Sequence, residues 1–174
     1  MIGRRRFIAL SAGLALAPLS GLAQMPLPPL YRTGQAMGTS TSIRLAHPDA
    51  EAIAARVEAE IARLEAIFSL YREDSALLRL NRTGRLDAPP FELLDCLAIA
   101  GAVHHASGGS FDPTIQPLWQ LWAEAAAANR RPDPQALSEA LARTGWLGVS
   151  ATPEAITLRP GMALSLNGIG QGYL

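Results

Sequence analysis

Apolar positions near the start of the chain follow two different spacings. In the segment "HPDAEAIAARVEAEIARLEAIF" they recur every three or four residues, which places them on one face of a helix. These apolar residues are Ile53, Val57, Ile61, Leu64 and Phe68. Pro48 and Asp49 lie near the start of this predicted helix. Before it, Thr41, Ile43 and Leu45 alternate with polar residues, and this period of two predicts a half-buried strand.

Further along, glycine and proline divide the chain into shorter elements. A second helix is predicted from Pro90 to about Ala106, where a pair of glycines stops it. The stretch "SFDPTIQPLWQLWAEA" begins with a turn and then becomes helical. Asp133 is predicted to cap a short helix with Pro134 in its first position, and Gly145 ends that helix.

Two more segments complete the predicted order of elements. "FSLYREDSALLRLNRTGRLDAP" is a polar segment with a few apolar anchors. "WLGVSATPEAITLRPGMALSL" predicts two or three strands, with "ATPEA" at the tip of a hairpin. Helices and strands do not alternate as in a βαβ protein, so the order predicts an α+β fold.

Composition narrows the possible partners. The chain has 174 residues, 49% of them hydrophobic, which is enough for one domain with a sizeable core. All 15 basic residues are arginine, they balance 15 acidic residues, and they form no basic patch, so nucleic acid is not an expected partner. Cys96 has no second cysteine to pair with and lies in the apolar stretch "FELLDCLAIA". We therefore expect a small buried side chain there rather than a reactive thiol.

The first 23 residues have the pattern of a secretory signal peptide. A basic start precedes an apolar run over residues 7–19, and small residues follow before the expected cleavage site. The apolar run is too short to span a bilayer comfortably, so no integral membrane segment is expected once the signal is removed. "RRRFI" resembles the twin-arginine export motif, and an ordinary secretory signal is the alternative. We expect a periplasmic protein with a Pro-rich leader over 24–36 and its domain over 37–174.

The glycine-rich stretch "SLNGIGQGYL" is the first candidate for chemistry. A strand, a glycine turn and the start of a helix together direct backbone N–H groups toward a phosphate. The G-x-G-x-G spacing departs from the dinucleotide fingerprint of Rossmann proteins, and no acidic residue follows it to bind a ribose. The hypothesis of a Rossmann-type oxidoreductase therefore depends on this loop alone, and a glycine turn without a ligand is the simpler alternative.

Four stretches read in order are more informative than this loop. They are "AMGTS", "FSLYREDSALLRLN", "SGGSFDPTIQPLWQLW" and "LSLNGIGQGY". Together they resemble the ApbE family, the FAD:protein FMN transferases, over the range from about Met37 to Tyr173. The resemblance implies an ApbE-type, T-fold-like α+β flavin transferase domain that is incomplete at its C-terminus.

The resemblance also implies a reaction and its ligands. Enzymes of this family bind FAD and Mg²⁺ and move FMN onto a threonine or serine hydroxyl of an exported target flavoprotein, with release of AMP. Such a reaction needs backbone N–H groups around a pyrophosphate, a metal to neutralise its charge, and a hydroxyl placed in line. The tail variant "LNGI-x-QGY" resembles a subset of the family associated with nitrous-oxide respiration (NosX-like).

Roles for single residues follow from the resemblance. Met37 and Tyr71 fall on positions that contact FAD, where a thioether or an aromatic ring suits a flavin or an adenine. Ser110, Phe111 and Asp112 match a short FAD-binding run of the family. Asp112 is also suited to cap the helix that follows it, and the two roles are compatible.

Other positions of the four stretches leave their roles open or depart from the family pattern. Ser75 and Asn81 are expected to hold their loop through hydrogen bonds to backbone, with contact to FAD as the alternative. In the tail, Ser165 replaces a common Asp and Gln171 replaces a Lys, and both remain candidate FAD-binding residues because neutral side chains can still form hydrogen bonds. Gly168 falls where the family lends a backbone carbonyl to Mg²⁺.

Part of the family's chemistry is not found in these residues. The D-x-x-x-T motif that supplies its other Mg²⁺ ligands belongs to a second half, and the catalytic base is expected there too. The chain is therefore expected to be a fragment that is inactive on its own. A non-catalytic exported protein that binds or carries flavin is the alternative.

The histidine pair and the tryptophan pair are both predicted to have structural roles. His104 and His105 point about 100° apart on a helix, so they are not expected to share one metal ion. Trp119 and Trp122 have rings that suit stacking on a ligand, but packing in the core is the expectation for both.

Overall fold

The structure is a computed structural model that describes residues 27–170. The predicted signal peptide over 1–23 and the candidate residue Gln171 lie outside the described residues. Among those described, no helix is long and apolar enough to cross a membrane. Helices and strands occur as separate groups, and this confirms the predicted α+β class.

An antiparallel hairpin opens the fold. Strand β1, Leu30–Ala36, pairs with strand β2, Thr39–Leu45, so that Ala36 lies opposite Thr39. In β2 the residues at positions 41, 43 and 45 are half-buried, as their alternation predicts. The sequence predicts no strand in the leader over 24–36, and β1 corrects this. Only Ala36 of β1 is buried, so the strand shows no hydrophobic period and is recognisable only through its pairing with β2.

Helix α1, Ala50–Phe68, confirms the first predicted helix. Its fully buried residues are Ala54, Ile67 and Phe68, whereas Val57 on the predicted apolar face is 39% exposed. The C-terminal end of α1 is therefore its best-buried part.

Helix α2, Ala76–Thr83, lies in the segment that the sequence suggests is polar and irregular. Its ends carry ordinary signals: Ser75 caps the first turn, and Gly84 follows the last with a φ of 71°. Leu77 and Leu80 are fully buried, so two side chains fix the helix on the core. The helix was missed because eight residues with four polar ones give too short a pattern.

Three further helices agree with the sequence. Helix α3 spans Phe91–Ala106, helix α4 spans Gln116–Ala127 after a 3₁₀ turn, and helix α5 spans Pro134–Ala142. The predicted cap of α5 is present, because the carboxylate of Asp133 accepts hydrogen bonds from the first-turn backbone N–H groups of residues 135 and 136.

A small antiparallel sheet completes the fold. It contains β3, Arg85–Asp87, β4, Val149–Ala151, and β5, Ala155–Leu158, in the order β3-β5-β4. The turn between β4 and β5 is the predicted "ATPEA" hairpin tip. Helices α1, α2 and α3 and the central strand β5 enclose one hydrophobic core. Its fully buried members include Leu77, Leu80, Leu93, Leu97, Ile156 and Leu164.

The core also contains the lone cysteine. The side chain of Cys96 is fully buried, as the sequence predicts. Burial, with a smaller contribution from the charge of Asp95, raises the pKa of the Cys96 thiol to about 11. A thiol in this state is protonated at neutral pH, which agrees with a packing role.

The two tryptophans of α4 do not pack in the core. Trp119 is 56% exposed and Trp122 is 48% exposed, so the expectation from the sequence is wrong for both. With Ile115 they stand four and three positions apart, and this stripe lies on a face of α4 that the described residues leave open. The helix instead buries Ala125.

Candidate functional site

The turn between β1 and β2 holds the first candidate residue. Met37 and Gly38 have φ angles of 51° and 74°, as in a type I′ turn. The backbone N–H of Met37 donates a hydrogen bond of 2.8 Å to Oε1 of Glu65 on α1. A β-carbon on Gly38 would lie 2.4 Å from Cε2 of Tyr71, so the tyrosine ring rests directly on the turn. The structure therefore brings Met37 and Tyr71 together.

The loop that carries Tyr71 is held by two serines. The hydroxyl of Ser69 accepts hydrogen bonds from the backbone N–H groups of Tyr71 and Arg72, at 3.1 and 3.2 Å. The hydroxyl of Ser75 donates to the carbonyl of Ser69 at 2.6 Å and accepts from the N–H of Leu78. Ser75 thus makes the backbone contacts expected of it. Tyr71 itself is 62% exposed at the surface of a fixed loop.

A second loop presents Ser110, Phe111 and Asp112 after the glycine pair that ends α3. The Ser107 hydroxyl accepts a hydrogen bond from the N–H of Phe111, and Nδ1 of His104 lies 2.8 Å from the carbonyl oxygen of Phe111. The neighbouring His105 bonds to a carbonyl of its own helix, and the two histidine rings stand at 80° to each other. Both histidines therefore act as structural groups, and Ser110 is exposed beside the ordered Phe111.

Asp112 uses one oxygen as a cap. Its Oδ1 accepts hydrogen bonds from the backbone N–H and the hydroxyl of Thr114, at 2.9 and 2.6 Å. Thr114 in turn accepts a hydrogen bond from the N–H of Gly145, which ties this loop to the segment after α5. The capping role predicted for Asp112 is confirmed, and its role toward FAD stays a prediction.

The glycine-rich tail is fastened to this second loop. The N–H of Ser165 donates to the carbonyl of Pro113 at 2.8 Å. A β-carbon on Gly168 would lie 3.1 Å from Cε2 of Phe111, so the ring of Phe111 lies against the glycine turn. The structure therefore places Phe111 beside the segment that carries Ser165 and Gly168, although more than fifty positions of the sequence separate Phe111 from that segment.

Helix α2 links the two groups of candidate residues. Ser75 at its start holds the Tyr71 loop, and Asn81 near its end holds the tail. The Asn81 amide donates to the carbonyl of Leu164 at 2.9 Å and accepts from its N–H at 2.7 Å. Asn81 thus forms hydrogen bonds to backbone, as the sequence predicts, but it holds the tail rather than its own loop, which corrects the prediction. Met37 and Ile169 also pack against the same hydrophobic core, which gives both groups one rigid support.

The described residues do not make a Mg²⁺ site by themselves. Mg²⁺ prefers six oxygen ligands, with carboxylates among them. Gly168 offers only a backbone carbonyl, and Oδ1 of Asp112 is engaged as a cap. Over residues 27–170, no group of three or more His, Cys, Asp or Glu side chains lies close enough to hold a metal ion.

A cleft of about 610 Å³ lies between α2, α4 and α5. Arg82, Arg143, Glu124 and Glu139 line it with both signs of charge, and it meets the candidate site only through Asn81. The two arginines and two glutamates balance in charge, and the cleft is separate from the predicted FAD contacts.

Comparison with solved structures defines the class of protein. The fold matches the Pseudomonas stutzeri flavinyl transferase ApbE with a TM-score of 0.71 and 25% sequence identity, over 86% of this chain and 50% of that chain. It also matches the Vibrio cholerae flavin transferase ApbE with a TM-score of 0.74 and 23% identity, over 85% of this chain and 51% of that chain. The architecture is that of a flavin transferase.

Sequence comparison gives the family. Residues 37–174 match the ApbE family model, and the chain belongs to the ApbE family. An FAD:protein FMN transferase of Klebsiella pneumoniae (strain 342) is 27% identical over 152 residues, which are 80% of this chain and 43% of the relative. Another, from Haemophilus influenzae, is 27% identical over 95% of this chain and 51% of the relative. The chain thus spans about half the length of these curated relatives.

Two residues of the site were not found from the sequence. Glu65 holds the Met37 turn and His104 holds the Phe111 carbonyl, each through one polar contact between separate segments. A single sequence contains no spacing that connects position 65 with position 37, because the contact depends on how the hairpin packs against α1.

Proposed function

We propose that this protein is the N-terminal part of an FAD:protein FMN transferase. The observation that carries the proposal is the contact of the Phe111 ring with the Gly168 turn, since it joins two stretches that the family resemblance assigns to FAD. Membership of the ApbE family and the names of the curated relatives support the same activity.

The proposed reaction transfers a phosphoryl group that bears the flavin. A threonine or serine hydroxyl oxygen of the target attacks the FMN phosphorus of FAD, and a new P–O ester bond forms. The bond from that phosphorus to the bridging oxygen breaks, AMP leaves, and the hydroxyl proton passes to a base. Mg²⁺ would supply charge neutralisation on the pyrophosphate. We assign no base to this chain.

Each candidate residue has a chemical role in this proposal. Met37 and Tyr71 contact the rings of FAD, with the thioether and the aromatic face as the contacting groups. The loop with Ser110, Phe111 and Asp112 lies beside the glycine turn and binds FAD there. Ser165 and Gln171 contribute hydrogen bonds from the tail, and the carbonyl of Gly168 is one ligand of Mg²⁺.

The proposal includes the location and the target. The signal sequence over residues 1–23 supports export to the periplasm by the twin-arginine route. The target is then an exported flavoprotein with an acceptor threonine or serine, and the tail variant favours one that serves nitrous-oxide respiration. We further propose that the 174 residues alone do not catalyse transfer, because one backbone carbonyl is their only assigned Mg²⁺ ligand.

A second candidate function is an exported protein that binds FAD without transferring FMN. Ser165 and Gln171, in place of Asp and Lys, favour it because they remove a carboxylate and a cation from the tail. The two candidates agree on FAD binding and differ only in product formation.

Intact-mass measurement separates these candidates. The polypeptide of the uninterrupted reading frame, without residues 1–23, is mixed with FAD, Mg²⁺ and an exported FMN-binding domain that carries an acceptor threonine. We expect the mass of FMN on that domain and an equal amount of AMP, both abolished by EDTA. A threonine-to-valine variant of the acceptor is the control and should gain no mass.

Other outcomes contradict the proposal. Bound FAD without added mass or AMP would favour the second candidate. Absence of FAD binding would reject both. Transfer by a polypeptide limited to residues 24–174 would show that the inactivity assigned to the fragment is wrong.

A further inference from the structure

The Met37–Gly38 turn adopts a backbone conformation that Met37 does not favour. Its φ of 51° is in the left-handed region, where asparagine and glycine are usual in type I′ turns. A residue in such a strained backbone conformation persists only where the surrounding structure enforces that conformation. Residues of this kind cluster at ligand sites. The question is which residue of this protein holds the turn.

Glu65 forms a direct hydrogen bond to the turn from outside the hairpin. In a two-residue hairpin the closing pair, here Ala36 and Thr39, carries the backbone hydrogen bonds of the ladder, so the N–H of Met37 is not part of it. That N–H donates to Oε1 of Glu65 at 2.8 Å. A carboxylate acceptor makes this a charge-assisted bond, which is stronger than a bond between neutral groups.

The same residue also reaches the Tyr71 loop. The backbone carbonyl of Glu65 accepts a hydrogen bond of 3.1 Å from the N–H of Ser69, whose hydroxyl fixes the N–H of Tyr71. The ring of Tyr71 rests on Gly38, where a β-carbon would come within 2.4 Å of it. One residue at the end of α1 thus links to both segments that carry predicted ring-contacting side chains.

We propose that Glu65 is a positioning residue for FAD: its carboxylate locks the strained Met37–Gly38 turn and thereby sets Met37 and Tyr71 for the ligand. This inference rests on the proposed function for the identity of the ligand. It goes beyond the proposed function because it assigns the positions of Met37 and Tyr71 to a residue outside the predicted FAD contacts.

The test compares three variants. Glu65→Ala removes the acceptor, Glu65→Gln keeps a neutral acceptor, and Arg56→Ala changes an exposed residue of the same helix as the matched control. For each, NMR hydrogen exchange of the Met37 amide is measured without ligand, relative to the amide of Ile43 in β2, on residues 24–174. FAD affinity is measured by flavin fluorescence on the polypeptide used for the transfer experiment.

We expect a selective effect. In Glu65→Ala the Met37 amide should exchange about tenfold faster relative to Ile43, and the Kd for FAD should rise about tenfold, as for the loss of one hydrogen bond to a charged group. Glu65→Gln should show smaller changes in both, and Arg56→Ala should match the wild type. A purely structural role would accelerate the exchange of both amides equally and would not be rescued by glutamine.

Three results overturn the inference. They are unchanged exchange of the Met37 amide in Glu65→Ala, equal acceleration of both amides, and faster Met37 exchange with unchanged FAD affinity. If Glu65→Ala does not fold, Glu65→Gln decides the question by the same two readouts. Failure of the wild-type polypeptide to bind FAD is distinguishable, since it rejects the proposed function and leaves the Met37 exchange to judge whether Glu65 holds the turn.

Discussion

Two individual residues, one in the candidate site and one in the core, are constrained by how little space surrounds them. Gly38 has no room for a side chain because the ring of Tyr71 occupies that volume. Cys96 lies within the packed core and is fully buried. In both cases the constraint belongs to one position, so a single substitution tests it.

Substitution of Gly38 by alanine should destabilise the turn. The φ of 74° is unfavourable for alanine by about 1–2 kcal/mol, and the new β-carbon would displace the Tyr71 ring. We expect the free energy of unfolding in guanidinium chloride to fall by about that amount. Gly34→Ala in β1 is the control, because its β-carbon would meet Thr41 Oγ1 at an ordinary 3.4 Å. Equal losses for the two variants would contradict the geometry of the turn.

The thiol of Cys96 should be inert in the folded protein. We expect no reaction with an aromatic disulfide reagent at pH 8 until denaturant is added, because burial excludes the reagent and holds the thiol protonated. The thiol titrates near 9.0 when unperturbed and near 11 when folded. The unfolded state therefore loses its proton first, and the free energy of unfolding should fall from pH 9 to 11.

Cys96→Ala is the variant that isolates this group. It should show a smaller fall of the unfolding free energy over the same pH range than the wild type. Rapid labelling of the native wild type would mean that the core around α3 opens more readily than its burial indicates.

Among the elements, helix α2 has a larger role than its length suggests. Its eight residues bind the Tyr71 loop at one end and the glycine-rich tail at the other. The helix itself is fixed on the core by Leu77 and Leu80. Loosening of α2 should therefore affect both groups of candidate residues together.

Substitution of Asn81 tests this link. Asn81→Ala removes both hydrogen bonds to the buried Leu164 backbone, so we expect a loss of about 1–3 kcal/mol in the free energy of unfolding. Asn81→Asp keeps the acceptor for the N–H of Leu164 but places a second acceptor opposite its carbonyl, so it should not rescue stability. Arg82→Ala, at an exposed neighbouring position, is the control. Unaltered exchange of the Leu164 amide in Asn81→Ala would rule out the link.

The elements that were predictable from the sequence are those with a strong local pattern. Helix α1 has five apolar residues at helical spacing, and α5 begins with Asp133 and Pro134. Strand β1 and helix α2 were missed because the first buries one residue and the second relies on tertiary contacts.

The candidate site was predictable only in part, for a related reason. Motif positions such as Phe111 and Gly168 were found one at a time, and their contact is a property of the fold. The contact of Glu65 joins residues 28 positions apart, and that of His104 reaches seven positions into the loop after its helix, so neither leaves a periodic signal. The exposure of Trp119 was mispredicted because a helix pattern shows which residues share a face, not which face is covered.

At the scale of the whole molecule, the exposed stripe on α4 is a distinctive surface of residues 27–170. Ile115, Trp119 and Trp122 are each between 45% and 56% exposed, whereas Trp146 is half-buried, with Gly101 against its ring. Large apolar side chains at the surface are informative when they are contiguous. Their accessibility is directly measurable.

Acrylamide quenching of tryptophan fluorescence should reproduce this order. We prepare three variants, each with a single tryptophan and phenylalanine at the other two positions. Trp119 and Trp122 should be quenched strongly and emit as solvated indoles, and Trp146 should be quenched less. Strong protection of Trp119 would mean that its face is covered in solution, and sedimentation at several concentrations would then show whether a second copy covers it.

Under the proposed function, a ligand that contacts only the Met37–Gly38 turn also depends on the rest of the hairpin of β1 and β2. A two-stranded ribbon is marginally stable alone, and this one buries only Ala36 in β1. We call the hairpin closed when it packs against α1, as it does here through the Met37–Glu65 bond and the Arg32–Glu51 ion pair. A ligand that requires the closed form binds with an apparent Kd equal to the intrinsic Kd divided by the closed fraction. Substitutions at the end of the hairpin far from the ligand can therefore change ligand affinity. They do so by shifting the closed fraction, while every ligand contact stays the same.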